Sequence, residues 1–187
     1  AATLGRVVHH APAGGQAVKK DQPWVMPAPP EGVVIEKGVA YLPGDRAEKA
    51  DLYLPAQRGK EVRSPAVVII HGGGWTSGDK GEYMADKVPL FNGAGYLFAS
   101  VNYRLTDPAL TPPAPQHPVH DDDVATAIAW LIDHASDYGG DPRKVAVLGH
   151  SAGGGITAAL TTDPHYLQAH GKDLDAVDCA GSMDGEG

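Results

Sequence analysis

A serine between glycines is the first feature of this sequence that could do chemistry. Ser151 lies in GHSAG (residues 149–153), between an apolar run, VAVL (residues 145–148), and a helix-like run. A strand–turn–helix corner with this G-x-S-x-G pattern strains the serine backbone and exposes the hydroxyl. The hydroxyl can attack a carbonyl carbon when a base takes its proton, and a third group must orient that base. The pattern therefore predicts a nucleophile at Ser151, with the N–H of Ala152 at a helix N-terminus facing the developing oxyanion.

Three consecutive glycines form the second feature. They lie in HGGGW (residues 71–75), directly after the apolar run VVII (residues 67–70). Because glycines have no side chains, their backbone N–H groups are open to an approaching oxyanion. A phosphate-binding loop is the alternative, but GGGWTSGDK lacks the spacing of Lys and Ser or Thr that such a loop needs. We therefore expect N–H groups of this loop and of Ala152 to form one oxyanion hole.

The elements around both motifs predict an α/β fold. Four apolar segments are expected to be strands, namely residues 65–70, 96–105, 144–149 and 175–183. Helical patterns lie between them, and this alternation is typical of a parallel sheet with right-handed crossovers. Residues 33–43 and 49–55 alternate and end in proline, so they predict an antiparallel pair at the sheet edge. The expected fold class is a mostly parallel, doubly wound sheet with an antiparallel N-terminal edge.

Proline and aspartate mark the segments between the strands. The helical pattern in residues 81–95 is expected to be interrupted at Pro89, and the proline-rich residues 106–118 are expected to form an exposed loop. The following helix carries three aspartates, which we expect in its first turn, where the helix dipole favours negative charge. His117 and His120 beside these aspartates could form a metal site, but we favour a polar helix start.

Composition restricts the remaining function classes. The chain has 187 residues and a net charge of −8, which argues against nucleic acid or an anionic membrane as partner. No apolar run approaches the ~20 residues that span a bilayer. The single cysteine, Cys179, excludes an internal disulfide and is expected to be a small buried apolar residue. We expect an irregular N-terminal arm (residues 1–30), pinned by Trp24, and one folded domain (residues 31–187).

The chain begins with AATLGRVV and without a methionine. This start is compatible with a mature exported chain, which would be extracellular or periplasmic. It is equally compatible with a trimmed fragment, and both interpretations stay open.

Four segments resemble successive landmarks of one superfamily. They are VVIIHGGGWTSGDK, ASVNYRL, DDVATAIAWL and YGGDPRKVAVLGHSAGG. They are similar to the α/β-hydrolase superfamily, in its branch of carboxylesterases and lipases with an HGGG loop. That branch includes hormone-sensitive-lipase-like and acetyl- or feruloyl-esterase-like enzymes. The likeness covers about residues 33 to 160, so residues 31–187 are expected to be the N-terminal portion of such a domain.

The resemblance implies a role for each motif residue. Ser151 would be the nucleophile, and the oxyanion N–H groups would come from Gly73, Gly74 and Ala152. Asp123 would be structural rather than catalytic, and Trp75 would line the pocket. The residues expected to support the site are His71 (as a brace for the loop and not as the base), Gly72, Trp75, Gly149, His150 and Gly153.

The base and acid that Ser151 needs are the missing part of this arrangement. In this fold both follow the nucleophile in the chain. His165 and His170 lie beyond a helix that would place them about 20 Å from the serine, at ~1.5 Å per residue. A base must lie within roughly 3 Å. We therefore expect the histidine and the acid on a complementary C-terminal part or second chain, without which one side of the sheet would be an exposed apolar edge.

The motifs and the resemblance converge on one expected activity. It is hydrolysis of small acyl or aryl esters through an acyl-enzyme, with neither cofactor nor metal. An amidase of the arylformamidase type would use the same apparatus and is one alternative. A non-catalytic protein that binds a ligand on the same fold is the other.

Overall fold

A six-stranded mixed sheet organises the structure. The computed structural model describes residues 33–42, 49–54 and 63–185. The strands are β1 (Val34–Ala40), β2 (Lys49–Leu54), β3 (Ser64–Ile70), β4 (Leu97–Val101), β5 (Gly140–His150) and β6 (Cys179–Met183). Their order across the sheet is β1-β2-β4-β3-β5-β6. The strands β4, β3, β5 and β6 run parallel, whereas β2 pairs antiparallel with β1 and β4. The mostly parallel sheet with an antiparallel N-terminal edge is confirmed.

Helices pack on both faces of this sheet. The helices are α1 (Met84–Gly93), α2 (Val119–His134), α3 (Ala152–Thr162) and α4 (Pro164–Gln168), with short 3-10 turns at Ala135–Tyr138 and Leu174–Ala176. One apolar cluster joins α2, α3 and α4 to one face, and a smaller cluster joins α1 to the other. No helix in the described ranges is long and apolar enough to cross a bilayer.

Strand β3 shows why the sheet is covered on both sides. Successive side chains of a strand point to opposite faces. Val68 and Ile70 lie in the cluster with α2 and α3, whereas Val67 and Ile69 lie in the cluster with α1. All four side chains are buried. The continuous apolar run in the sequence therefore corresponds to a strand that has no solvent face.

The register of β3 and β5 places the two motifs side by side. Ile70, the last residue of β3, is the partner of Gly149 in β5. Both strands run in the same direction, so the glycine loop and the serine turn leave the sheet at the same edge. This edge is the one where parallel α/β sheets bind ligands.

Three sequence-based expectations are wrong. The helix α1 continues through Pro89, because Met84, Val88 and Asn92 are buried at helical spacing on one side and their packing offsets one lost hydrogen bond. Cys179 is exposed, since it lies on β6, which pairs only with β5 among the described strands. Asp123 lies beyond the first turn of α2, where only Asp121 and Asp122 are found.

Other expectations concern the termini and the loop before α2. The N-terminal arm (residues 1–30), including Trp24, lies outside the described residues. Residues 106–118 contain neither helix nor strand, and most of them are exposed, as predicted.

Candidate active site

The serine turn has the backbone strain that the G-x-S-x-G pattern predicts. Ser151 has φ 54° and ψ −122° and directly precedes α3. Its N–H donates to the carbonyl of Met183 at the end of β6 (2.8 Å). A Cβ atom at position 149 would lie 1.9 Å from the carbonyl oxygen of Gly153, so only glycine fits there. The side chain of Ser151 is half-buried, and its hydroxyl makes no hydrogen bond to a described residue.

The glycine loop lies against this serine. A Cβ atom at position 72 would lie 3.0 Å from Ser151 Cβ and 2.9 Å from the carbonyl oxygen of His150. Gly72 is buried, whereas Gly73 and Gly74 are exposed. The absence of a side chain at position 72 is therefore what allows the loop to approach the nucleophile.

The loop then turns sharply at Gly73. Its φ is +111°, and a Cβ atom there would lie 2.1 Å from the carbonyl oxygen of Ser77. The N–H groups of Thr76 and Ser77 both donate to the carbonyl of Gly73 (3.2 and 3.1 Å), as does the hydroxyl of Ser77 (3.0 Å). These bonds hold the carbonyl inside the turn.

The amide hydrogens expected to bind an oxyanion have no partner in the described part of the chain. The N–H groups of Gly73, Gly74 and Ala152 donate no hydrogen bond to any of the described residues. Ala152 is the first residue of α3, where helical N–H groups have no partner within the helix. The glycine loop beside Ser151 and the N-terminus of α3 therefore carry N–H groups that no described residue uses.

The buried side chain of His71 stabilises the glycine loop. Its ring is buried and stacks on Tyr103, with 4.4 Å between the ring centroids. Nδ1–H donates to the carbonyl of Gly72 (2.7 Å), and the hydroxyl of Tyr103 donates to the carbonyl of His71 (3.0 Å). Burial lowers the pKa of His71 more than the bond to Gly72 raises it. The buried Nε2 atom has no hydrogen-bond partner among the described residues, and the lowered pKa favours the neutral ring, so His71 is a structural group of the loop.

A second brace, which the sequence reasoning missed, holds the far end of the loop. The side-chain oxygen of Asn102 accepts the N–H of Lys80 (2.6 Å), and its Nδ2 group donates to Asp79 (3.0 Å). Burial raises the pKa of Asp79, but the bonds from Asn102 and from the N–H of Gly81, together with the charges of Lys80 and His71, leave the pKa below its usual value. The available signal was a polar residue, Asn102, directly after the buried strand β4.

Trp75 and His150, two residues expected to support the site, differ in burial and in contacts. Trp75 is half-buried, and its carbonyl accepts the N–H of Thr106 (2.8 Å). It lines a cavity of about 490 Å³ beside the loop. His150 makes no hydrogen bond to the turn, and its exposed ring lies 3.9 Å from a carboxylate oxygen of Asp184. Its carbonyl oxygen lies close to Gly72, and a supporting role for His150 in the site stays a prediction.

The histidines that follow the serine in the chain make contacts of their own outside the serine turn. His165 follows the C-terminal end of α3, which is 11 residues or about 17 Å long at 1.5 Å per residue. Its Nδ1 atom lies 2.7 Å from Asp163, and His170 lies 3.2 Å from the hydroxyl of Thr126 on α2. His165 therefore cannot reach the hydroxyl of Ser151, and His170 is in contact with α2.

The acidic side chains at the start of α2 make structural contacts with neighbouring residues. Asp123 is buried and accepts hydrogen bonds from the backbone N–H and the guanidinium of Arg104 (3.0 and 2.8 Å). His117 pairs with Asp121 (2.9 Å), and His120 Nε2 lies 3.0 Å from the hydroxyl of Thr106. Within the described ranges, no group of three His, Cys, Asp or Glu side chains could hold a metal ion.

Known proteins share this arrangement of sequence and structure. The family model BD-FAE matches residues 50–178. The probable carboxylic ester hydrolase LipM of Mycobacterium tuberculosis is 32% identical over 83% of this chain and 35% of its own length. Carboxylesterase NlhH of the same species is 39% identical over 51% of this chain and 28% of its own length. The chain thus spans about a third of the length of these relatives.

Solved esterase structures superpose on the sheet. Apo esterase 2 of Thermogutta terrifontis has a TM-score of 0.61 and 28% identity, over 82% of this chain and 55% of that one. Esterase B of Lactobacillus rhamnosis has a TM-score of 0.61 and 26% identity, over 82% of this chain and 47% of that one. The family match covers more than half of the chain, and the solved structures that superpose on it are esterases. The chain therefore has the α/β-hydrolase fold and belongs to the BD-FAE family.

Proposed function

We propose that this chain carries the nucleophile and the oxyanion hole of a serine carboxylic ester hydrolase. The observation that carries the proposal is Ser151, held at φ 54° beside Gly72, together with N–H groups of the adjoining glycine loop and of Ala152 that bond to no described residue. The relatives named as ester hydrolases and the esterase structures support it. The substrate we propose is a small acyl or aryl ester.

The geometry supports a two-step reaction. Ser151 Oγ attacks the ester carbonyl carbon while a base takes the hydroxyl proton, and the carbonyl oxygen becomes an oxyanion. The N–H groups of Gly73, Gly74 and Ala152 stabilise that charge, and each such donor is worth about 3 kcal/mol of barrier. The alcohol then leaves with the proton, an acyl group stays on Ser151, and water releases it as the acid.

The base and its acid are proposed to come from a complementary C-terminal segment or chain. Two observations support this. Among the described histidines, the ring of His71 is buried and bonded to Gly72, and His165 follows the far end of α3. The strand β6, with most of its residues exposed, forms an edge of the described sheet next to the serine turn. A segment that extends the sheet beyond β6 would bring its loops to the same edge as Ser151.

Burst kinetics with p-nitrophenyl acetate test the nucleophile. The protein together with its complementary segment is expected to release one equivalent of p-nitrophenol per active site rapidly and to gain the mass of one acetyl group. Ser151→Ala is expected to abolish both signals. The control is Ser136→Ala, in the 3-10 turn before β5 at the opposite end of that strand. A burst that persists in Ser151→Ala would show that another residue is acylated and would overturn the proposal.

Amide hydrolysis is a second candidate that one comparison favours. Arylacetamide deacetylase of Bos taurus is 34% identical over 58% of this chain and 27% of its own length. The same nucleophile and oxyanion donors would serve an amide, but the leaving amine must be protonated as it departs. Parallel assays with phenyl acetate and acetanilide, which differ only in that leaving atom, separate the two candidates.

A further inference from the structure

A buried carboxylate on β2 is not used by the proposed reaction. The side chain of Asp51 is 7% exposed and lies among the apolar and aromatic residues of its strand. A carboxylate is costly to remove from water unless it is paired and hydrogen-bonded. The N–H of Gly38 on β1 donates to its Oδ1 atom (2.8 Å), and Lys80 Nζ lies 3.4 Å from the same atom. Asp51 therefore links β1 and β2 to the segment that follows the glycine loop.

Lys80 is held at its side chain, its N–H and its carbonyl. The N–H donates to the side chain of Asn102 (2.6 Å), and the carbonyl accepts the hydroxyl of Ser100 (2.8 Å). Ser100 is the residue opposite Asp51 in the pairing of β2 with β4, so both side chains point to the same face of the sheet. A displacement of Lys80 would therefore stretch contacts to two strands at once.

Gly78, two residues before Lys80, packs directly on the glycine loop. Its φ is +108°, and a Cβ atom there would lie 2.4 Å from both the carbonyl oxygen of Gly72 and Nδ1 of His71. These two atoms form the hydrogen bond between His71 and Gly72 (2.7 Å). A Cβ atom at position 72 would in turn lie 3.0 Å from Ser151 Cβ. The backbone from Lys80 back to Gly78 is thus connected, through packing contacts, to the nucleophile.

Stability alone does not explain a buried ion pair at this place. The attraction between two buried charges is largely offset by the cost of removing both from water, and apolar replacements are often neutral or stabilising. In some proteins a buried pair instead selects one arrangement of the groups that it joins. Here the groups that it joins are the strands β1 and β2 and the segment that supports the glycine loop.

We propose that Asp51 is a positioning residue for the reaction. Through Lys80 it holds the segment after the glycine loop, and with it the N–H groups of that loop, in the arrangement that stabilises the oxyanion. The inference rests on the proposed function for the role of these N–H groups, and on the contacts of Asp51 and Lys80 for the position of the loop. Because both acylation and deacylation pass through an oxyanion, loss of the pair should lower kcat and leave KM nearly unchanged.

Asp51→Asn tests the pair with little change in shape. Asparagine keeps an oxygen for the N–H of Gly38 but loses the charge that attracts Lys80. The protein with its complementary segment is assayed on p-nitrophenyl acetate. We expect kcat to fall at least about fivefold with KM unchanged, because small displacements of positioning groups are costly to catalysis.

Asp141→Asn is the matched control. Asp141 is also buried, with 4% of its side chain exposed, and it also accepts a backbone N–H and pairs with a cation, both from Arg143 (3.1 Å each). It lies at the start of β5, whereas Ser151 follows the end of that strand. Its replacement should leave kcat unchanged. An equal fall of kcat in the two variants would show a general effect of losing a buried carboxylate and would overturn the inference.

Variants of Lys80 test whether the pair acts as a unit. Lys80→Arg keeps a cation for Asp51 and is expected to retain most of the activity, whereas Lys80→Met should lower kcat as Asp51→Asn does. The double variant Asp51→Asn/Lys80→Met should be no less active than either single variant, because each change breaks the same contact. Losses that multiply in the double variant would show two independent effects and would contradict the proposed link.

Hydrogen exchange measured by NMR reports on the loop without turnover. The N–H groups of Thr76 and Ser77 donate to the carbonyl of Gly73 inside the turn of the loop, so a loosened loop should exchange them faster. We expect faster exchange in Asp51→Asn than in Asp141→Asn. A fall of kcat without faster exchange would show that the pair does not act through the loop, and faster exchange with unchanged kcat would remove its role in the reaction.

Failure of the proposed function gives a different result. Hydrolysis that persists in Ser151→Ala would overturn the proposed function, whereas faster exchange in Asp51→Asn would still support the link between Asp51 and the loop.

Discussion

At the scale of single residues, the site depends on backbone conformations that few residues adopt. Ser151 has φ 54° and ψ −122°, and Gly73 has φ +111°. A non-glycine residue in such a region carries strain of about 1–3 kcal/mol. The bond from Ser151 N–H to Met183 and the tight contact between Gly149 and Gly153 hold this conformation. Strain at Ser151 is thus offset by the packing of α3 against β5 and β6.

Gly73→Ala is expected to lower activity more than a glycine replacement elsewhere. The new Cβ would lie 2.1 Å from the carbonyl oxygen of Ser77, so the turn must open and its oxyanion N–H groups must move. We expect kcat to fall at least about tenfold and the free energy of unfolding by about 2 kcal/mol. The control is Gly171→Ala, since Gly171 has φ +69° and open space around it. Equal kcat in the two variants would contradict a precise role for the Gly73 turn.

The buried ring of His71 predicts a pH dependence of stability. Burial lowers its pKa below the ordinary 6.5, so below about pH 6.5 the unfolded chain binds more protons than the folded chain. The free energy of unfolding should therefore fall as the pH drops from about 7.5 to about 5.5. The pKa of His120 is also lowered by burial and contributes in the same direction.

Urea unfolding of the His71→Phe variant separates the contributions of His71 and His120 to the pH dependence of stability. Phenylalanine keeps the stacking on Tyr103 but binds no proton, so the pH dependence should be weaker than in the unchanged protein. Loss of the bond to Gly72 should lower stability by about 1 kcal/mol at every pH. A pH slope identical to that of the unchanged protein would show that His71 does not titrate in this range.

At the scale of elements, the end of β4 positions the loop that follows β3. Asn102 directly follows β4, and its side chain bonds the backbone of Lys80 and the carboxylate of Asp79. Lys80 Nζ in turn lies 3.4 Å from Asp51 on β2. The segment after the glycines is therefore tied to β2 and β4 as well as to its own strand.

Asn102→Ala is expected to act on kcat rather than on KM. Loss of the two bonds lets the loop move, so oxyanion stabilisation falls while ground-state binding is little changed, and kcat should drop about tenfold or more. Asn92→Ala is the control, because Asn92 is a buried asparagine of α1 whose Nδ2 bonds the carbonyl of Tyr53 away from the loop. It should lower stability, by about 1–3 kcal/mol, with kcat of the folded enzyme unchanged. Equal effects on kcat would reduce Asn102 to a purely structural residue.

Most of the strands and the two turns at the site could be predicted from the sequence, for a physical reason. Continuous apolar runs such as residues 67–70 occur where a strand is covered on both faces, and a glycine-rich turn after such a run indicates a sharp corner. Hence the parallel strands, the elbow at Ser151 and the adjacent glycine loop were all expected before the structure.

The remaining features depend on contacts between distant residues. The propensity rule for proline favours a break at Pro89, but the packing of Met84 and Val88 against the sheet outweighs it. Cys179 looked buried because its neighbours are apolar, yet its exposure depends on which strands flank β6. Asn102 and Lys80 are 22 residues apart, so no local pattern could link them.

At the scale of the whole molecule, β6 is the edge strand of the sheet, and no described strand pairs with its outer side. It pairs with β5 alone, and Cys179, Ala180, Ser182 and Met183 are exposed. Tyr83, Leu90 and Met183, three large exposed apolar residues, line one groove between α1 and the ends of β3 and β5. An open strand edge beside an apolar groove is the feature that soluble proteins usually cover or charge. The proposed complementary segment would cover it.

The 187-residue chain alone is therefore expected to self-associate through this edge. In a Cys179→Ser background, which excludes disulfide dimers, sedimentation velocity should show a concentration-dependent rise in mass. Ala180→Lys places a charge at the centre of the edge, opposite Val147 of β5, and should shift the protein towards monomer by blocking strand pairing. Ala158→Lys adds the same charge on the exposed side of α3 and should not. Association that persists in Ala180→Lys would place the contact elsewhere, and a chain that stays monomeric without either lysine would show that β6 needs no covering segment.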